Sequence, residues 1–323
     1  MAIVAGIDEA GFGPVLGPLV VSATAFELPE EHADGCMWRL LASAVTPNAS
    51  KRRRRVAIAD SKRLYHGRRG SSGLEHLERG VLSMLSACGL CTESLRGVLG
   101  ALAPSAQRSL DAYPWYARSD VSLPTTIGKT DLALSANSLK VAMSEASVRP
   151  VMFASEPIFT AEYNRLVSAV RNKSAVLFDV TCRLLDRLWR TDANGPIYVW
   201  VDRQGGRMRY LPLLQKVFPG AQHHVVEESE TVSSYRLTAP GRNWRICFIR
   251  DAEQRQLPVA LASMLSKYLR ELFMELLNGF WRQRLPELEP TAGYYTDGVR
   301  FYREIHPHLT ELGYDAEQLY RSR

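Results

Sequence analysis

At 323 residues with 46% hydrophobic content, the chain can bury a substantial core; it is long for one simple domain and short for three. A net charge of +6 is a mild excess that favours polyanionic partners. No stretch approaches the roughly 18 consecutive apolar residues of a membrane span, and the N-terminus lacks the basic start and longer apolar core of a signal peptide, so no membrane partner and a cytoplasmic location are expected. Cys36, Cys88, Cys91, Cys182 and Cys247 are odd in number and scattered, which argues against a disulfide framework. Cys88 and Cys91 have redox-motif or half-zinc-site spacing, but without a second pair or a histidine pair at finger spacing they read as ordinary reduced cysteines.

The first predicted element is the apolar run Ile3-Val4-Ala5-Gly6-Ile7, a buried strand that ends in Asp8 and Glu9. Gly11, Gly13, Pro14, Gly17 and Pro18 punctuate a bend, and a second apolar run begins at Leu19. Neighbouring strand side chains point to opposite faces, so Asp8 and Glu9 can converge only if the chain leaves strand geometry at once; Gly11 and Gly13 permit that. Paired carboxylates on a buried strand are costly unless a cation or a substrate donor compensates them, which points to a metal site. A turn cap is the alternative. Two other glycine-loop readings fail. A dinucleotide fingerprint needs glycine where Leu16 stands, and a phosphate-cradling loop needs Gly-Lys-Ser/Thr where Gly17 is followed by Pro18.

Gly6-Ile7-Asp8-Glu9-Ala10-Gly11-Phe12-Gly13-Pro14-Val15-Leu16-Gly17-Pro18-Leu19-Val20 resembles the opening motif of the type 2 ribonucleases H (ribonuclease HII/HIII family). That motif reads Gly-Ile-Asp-Glu-Ala-Gly-Arg-Gly-Pro, then a Gly-Pro and an apolar strand; Phe12 stands where the family has arginine. The resemblance implies a ribonuclease H-like α/β fold, a mixed sheet flanked by helices.

After the Leu19–Phe26 strand, a helix is predicted near Met37–Ala44. The run Lys51-Arg52-Arg53-Arg54-Arg55 reads either as a phosphate grip or as a solvated insertion. Asp60-Ser61-Lys62-Arg63-Leu64 resembles the family's Asp-Ser-Lys-Lys-Leu motif, whose matching lysine contacts a phosphate, and a helix over Leu74–Ala87 follows. Residues from about 92 to 160 read as an insertion, helical over Leu132–Ser147. One helical pattern then runs over Glu162–Trp189, broken at Gly195-Pro196.

Ile197–Val201 repeats the buried-strand pattern and ends in Asp202. It resembles the family's Val-Asp-Gly strand end, with Arg203 in place of glycine. A helix over Tyr210–Val217, an irregular acidic stretch at Glu227–Glu230 and a strand over Arg245–Arg250 come next. The family's fourth acid stands ten residues before the serine of Ala-Ser-Ile-x-Ala-Lys; counting back from Ser263 gives Glu253, with Asp251 as a competitor. A largely buried helix runs from about 258 through Trp281. Gly293-Tyr294-Tyr295-Thr296 resembles the Gly-Tyr-x-Thr motif whose tyrosine stacks on a nucleotide sugar, while Val299 replaces the usual histidine.

The resemblance implies that Asp8, Glu9, Asp202 and Glu253 are the catalytic acids and the ligands of two Mg²⁺ or Mn²⁺ ions. Such a site activates water and stabilises the leaving oxygen of a phosphodiester. Hard cations suit carboxylate oxygens, and strand ends are where α/β sheets gather their sites. Reading RNA requires a contact to the 2′-hydroxyl, which the resemblance assigns to the Gly11-Phe12-Gly13 backbone, with Lys62 and Tyr294 as further substrate contacts. The expectation is a monomer with residues 1–323 as one ribonuclease H-like domain. It would cleave RNA in RNA–DNA hybrids, or ribonucleotides embedded in duplex DNA. The alternatives are a catalytically weak nucleic-acid-binding protein of the same fold, favoured by Phe12, Arg203, Glu253 and Val299, and a DNA-directed nuclease.

Overall fold

The computed structural model describes all residues except 50–54, 66–72, 118, 193–194 and 323. Its frame starts with β1 (Ala2–Ala10) and β2 (Leu19–Leu28), which pair antiparallel from Ala2–Leu28 to Ala10–Val20. The strand period places Ala2 and Val4 in one apolar cluster and Ile3, Ala5 and Ile7 in the cluster on the other face, so β1 is covered on both sides.

Helix α1 (Met37–Leu40) is shorter than predicted, the chain continuing as turns through Ala44. The two-residue strands β3 (Val45–Thr46) and β4 (Val56–Ala57) pair in parallel. Then come α2 (Ser61–Leu64), α3 (Glu75–Ala87), α4 (Leu95–Leu102), α5 (Pro104–Ser109) and α6 (Lys129–Glu145). Of the predicted basic run only Arg55 is described; it is exposed and donates to the Ala42 carbonyl, while Lys51–Arg54 lie outside the described residues.

The 92–160 stretch, expected as an insertion, ends in β5 (Arg149–Ile158), a strand of the main sheet. Pro150 and Pro157 hid it. Proline removes a ladder donor and is tolerated on an edge strand, which is the place β5 takes beside β2. The remainder of the stretch is tied to the core through Glu78 of α3. Its buried carboxylate accepts from the amides of Thr125, Thr126 and Ile127 and from the Tyr268 hydroxyl at 2.7, 2.6, 3.2 and 2.9 Å.

The predicted Glu162–Trp189 helix is two helices, α7 (Thr160–Val170) and α8 (Lys173–Trp189). Arg171 turns left-handed at φ 49°, and the Asn172 side chain caps α8 by accepting from the amides of Ser174 and Ala175. After β6 (Ile197–Asp202) and α9 (Leu211–Val217) come β7 (Gln222–Glu228), β8 (Val232–Ala239) and β9 (Arg242–Ile249). Glu227 and Glu228, expected in an irregular stretch, thus close a strand. The last helices are α10 (Leu257–Arg282) and α11 (Tyr295–Glu311).

The seven-stranded sheet has the order β5-β2-β1-β6-β9-β8-β7. Strands β1, β6 and β9 run parallel at its centre, and the others pair antiparallel to either side. Helices α3 and α10 cover one face and α8 the other. Among the described residues no helix is long and apolar enough to cross a membrane. The five cysteines are free.

Candidate active site

Asp8 and Glu9 lie near the end of β1, Asp202 ends β6, and Glu253 follows the end of β9. Parallel neighbours end on the same edge of a sheet, so three separated segments deliver acids to one place. Contrary to the expectation above, the chain does not leave strand geometry after Glu9: β1 runs through Ala10, and Asp8 Oδ1 curls back to accept the Glu9 amide at 2.7 Å.

Helix α10 fixes β1 from above. A side chain on Gly6 would place its Cβ 2.1 Å from the Val259 nitrogen, so only glycine admits the helix this closely. The Ser266 hydroxyl donates to the Asp8 carbonyl at 3.0 Å, and the Ser263 hydroxyl bonds that of Ser61 at 3.0 Å.

The four carboxylates influence one another. Burial, then the charges of Glu9 and Asp202, hold Asp8 well above the usual carboxylate range, with Ser263 opposing through a hydrogen bond. Burial and Asp202 raise Glu9 to about 8, and the same two causes raise Glu253 to about 7. Asp202 is raised by burial despite the amides of Ala252 and Arg203. Lys62 is exposed, and its charge is felt by this group. Partial burial lowers its pKa, but Asp60, Asp8, Glu253 and Asp202 together raise it above that of a free lysine. Its backbone is set by Asp60, which caps α2 by accepting the Lys62 amide at 2.9 Å.

Glu253 is 4% exposed and its Oε2 has no hydrogen-bond partner, whereas Asp251 is exposed in a left-handed conformation at φ 56°. The structure therefore brings Glu253, not Asp251, to the other acids. Among the described residues no three or more His, Cys, Asp or Glu side chains stand grouped so that they could hold a metal ion as they are placed. The donor set is all oxygen with an unpartnered buried carboxylate atom, a chemistry that fits Mg²⁺ or Mn²⁺ and not a softer ion.

The 11–18 turn borders the acids. Gly11 has φ 85° and Gly17 φ 79°, and the exposed Gly13 faces open space. Phe12, whose backbone is the expected substrate contact, is half-buried with its ring against the apolar cluster on the α8 face. Tyr294 is 53% exposed, and the Arg270 guanidinium lies 5.8 Å from its ring centre. Arg203 donates to the carbonyls of Ser229 and Glu230, pinning the β7–β8 turn to the strand end that carries Asp202.

Sequence reasoning missed the two buried arginines, Arg270 and Arg321, that underlie the turn. Ser263, used only to set the register, could have been found as a site residue, because the serine motif falls on the helix facing Asp8.

No family model matches the chain. Over 34 residues it is 53% identical to the ribonuclease HII of Xylella fastidiosa, in strain M23 and strain Temecula1 alike. That match covers 10% of this chain, which spans only 14% of the length of those relatives. Among solved structures it is similar to that of the PCNA:RNase HII complex from Archaeoglobus fulgidus, at 16% identity and a TM-score of 0.43 over 99% of this chain and 94% of that one. It is also similar to ribonuclease H2 from Pyrococcus horikoshii OT3, at 14% identity and a TM-score of 0.44 over 98% and 92% of the two chains. The mixed sheet flanked by helices is the architecture that the opening motif implied.

Proposed function

We propose that the chain, as one ribonuclease H-like domain, is a divalent-cation-dependent endonuclease. It hydrolyses the RNA strand of RNA–DNA hybrids or ribonucleotides embedded in duplex DNA. The observation that carries this reading is the gathering of Asp8, Glu9, Asp202 and Glu253 at the ends of β1, β6 and β9, with every carboxylate raised by burial and three of them by one another. A cluster of this kind holds its charge at neutral pH only with positive charge nearby, and Lys62 is a single such charge.

Asp8, Glu9, Asp202 and Glu253 would hold Mg²⁺ or Mn²⁺, which when bound supplies an activated water and stabilises charge on the phosphate. The remaining roles fall to the chain itself. Ser263 and Ser266 fix Asp8 through its carboxylate and its carbonyl. Lys62 offers a cation to a neighbouring phosphate. The open backbone of Gly11-Phe12-Gly13 approaches the ribose closely enough to read its 2′-hydroxyl. Tyr294 offers an exposed ring to a sugar. A nucleic-acid-binding protein with weak catalysis is the second reading, favoured by the Phe12 ring being turned to the core.

The test is cleavage by purified protein, with Mg²⁺ or Mn²⁺, of matched RNA–DNA hybrid, single-ribonucleotide and all-DNA duplexes. Cation-dependent cleavage at ribonucleotides alone is expected. Cleavage of all three would make the protein a DNA-tolerant nuclease, and binding without cleavage would leave the second reading.

A further inference from the structure

Arg270 and Arg321 are each 1% exposed, and together they take up the carbonyls of the 11–18 turn from inside the protein. Arg321 Nε donates to the Gly17 carbonyl at 2.8 Å, its Nη1 to those of Gly11 and Pro14 at 2.6 and 3.4 Å, and its amide to that of Val15 at 2.9 Å. Arg270 Nη2 donates to the carbonyls of Leu16 and Ala292 at 3.4 and 2.9 Å.

Among the described residues no acidic side chain lies within ion-pair distance of Arg321. The Tyr163 ring lies 4.8 Å from its guanidinium, and Arg321 Nη2 has no partner. Burial and the nearby charge of Arg270 pull it down to about 9. A buried guanidinium held by carbonyls alone is a costly way to fill space, which an apolar side chain would do better. What the guanidinium adds is a rigid fork of donors able to hold several carbonyls in one geometry.

The outcome shows on the other side of the turn. Among the described residues, the amides of Phe12 and Gly13 donate to no backbone carbonyl outside the helices and strands. Gly11 is locked in place: a Cβ on it would meet Arg270 Nε at 2.6 Å and the Pro18 carbonyl at 2.7 Å. The same Arg270 backs the Tyr294 ring, so one pair of cations sets both the turn and the exposed aromatic.

We propose that Arg321, together with Arg270, is a positioning residue that holds the carbonyls of the 11–18 turn inward and so presents its amides to the ribose of the substrate. The inference rests on the reading of the protein as a ribonuclease, but its mechanical half does not. The test compares wild type, Arg321→Met and Arg321→Lys in the full chain. It uses a thermal melt, hydrogen exchange over residues 11–18 and steady-state kinetics on an RNA–DNA hybrid.

In folded Arg321→Met, exchange in the turn rises about tenfold or more while the β1 and β2 interiors keep their protection. KM rises about tenfold with kcat within about threefold of wild type, and Arg321→Lys falls between the two. Unchanged exchange in a folded Arg321→Met overturns the proposal, as does a fall in kcat with KM intact. Failure of both variants to fold also overturns it, since the arginine is then a general support. If wild-type protein cleaves no ribonucleotide, the proposed function fails while the exchange measurement still decides the clamp.

Discussion

The backbone amide of Ala252 donates to Asp202 Oδ1 at 3.1 Å, which ties the short turn carrying Glu253 to the strand end carrying Asp202. The link explains how a residue beyond β9 reaches the acids of β1 and β6. The left-handed Asp251 bends the chain there, and the next two residues are carried inward and buried.

From this follows the assignment of the fourth acid. Glu253→Gln should lose most activity, because it removes a buried charge from the set, whereas Glu253→Asp should retain a measurable part. Asp251→Asn should be near wild type in both activity and melting, since asparagine tolerates the left-handed region and the side chain is exposed. Steady-state cleavage of a hybrid by the three variants checks this; an inactive Asp251→Asn would assign the position to Asp251.

Asp8→Asn should abolish hydrolysis and yet raise the melting temperature of the cation-free protein at pH 8. The substitution removes one charge from a site where burial and like charges already disfavour it. A melt of both proteins in a chelator reads the sign, and a less stable Asp8→Asn would mean that the carboxylate is compensated by contacts made within the protein.

The pH dependence of stability should carry two opposite contributions. For the cluster, folded pKa values are raised, with Glu253 near about 7 and Glu9 near about 8, so the unfolded chain gives up its protons first. The cluster's contribution is then fully present below the ordinary carboxylate range and is lost as pH rises toward 7–8. Glu78 behaves in reverse. Burial alone would raise it, but hydrogen bonds from Thr125 and Thr126 outweigh that and lower it, so its contribution is lost as pH falls. Glu78→Ala should cost about 3 kcal/mol by stranding those donors. Denaturant titrations of cation-free protein across pH check both; a cluster contribution that grows toward pH 8 would contradict the account.

Phe12→Arg should lower stability by about 1 kcal/mol, because it removes apolar surface from the α8-side cluster. The salt dependence of hybrid binding should stay at the wild-type slope. A normal melt with a slope steeper by nearly one would place that side chain at the phosphates.

Asp8, Glu9 and Asp202 were legible in the sequence as candidates because each stands at or near the end of an apolar strand, and a charge in that place is costly without a reason. Glu253 needed the spacing to Ser263. The buried Arg270 and Arg321 were not legible, since no periodicity tells a guanidinium buried against carbonyls from one in water. Strand β5 was masked by Pro150 and Pro157, whose tolerance depends on an edge position that only the assembled sheet defines. The break between α7 and α8 lay in Asn172, a good capping residue set inside an otherwise continuous apolar pattern.

Whether Asp8, Glu9, Asp202 and Glu253 act as one cation site is tested most directly by Mn²⁺ binding. Titration at pH 8, followed by electron paramagnetic resonance, would compare wild type with Asp8→Asn and Asp202→Asn. The account predicts saturable binding to wild type, a parallel rise in its melting temperature, and loss of both in each variant. Binding that survives in both variants, or no binding to wild type, would contradict it.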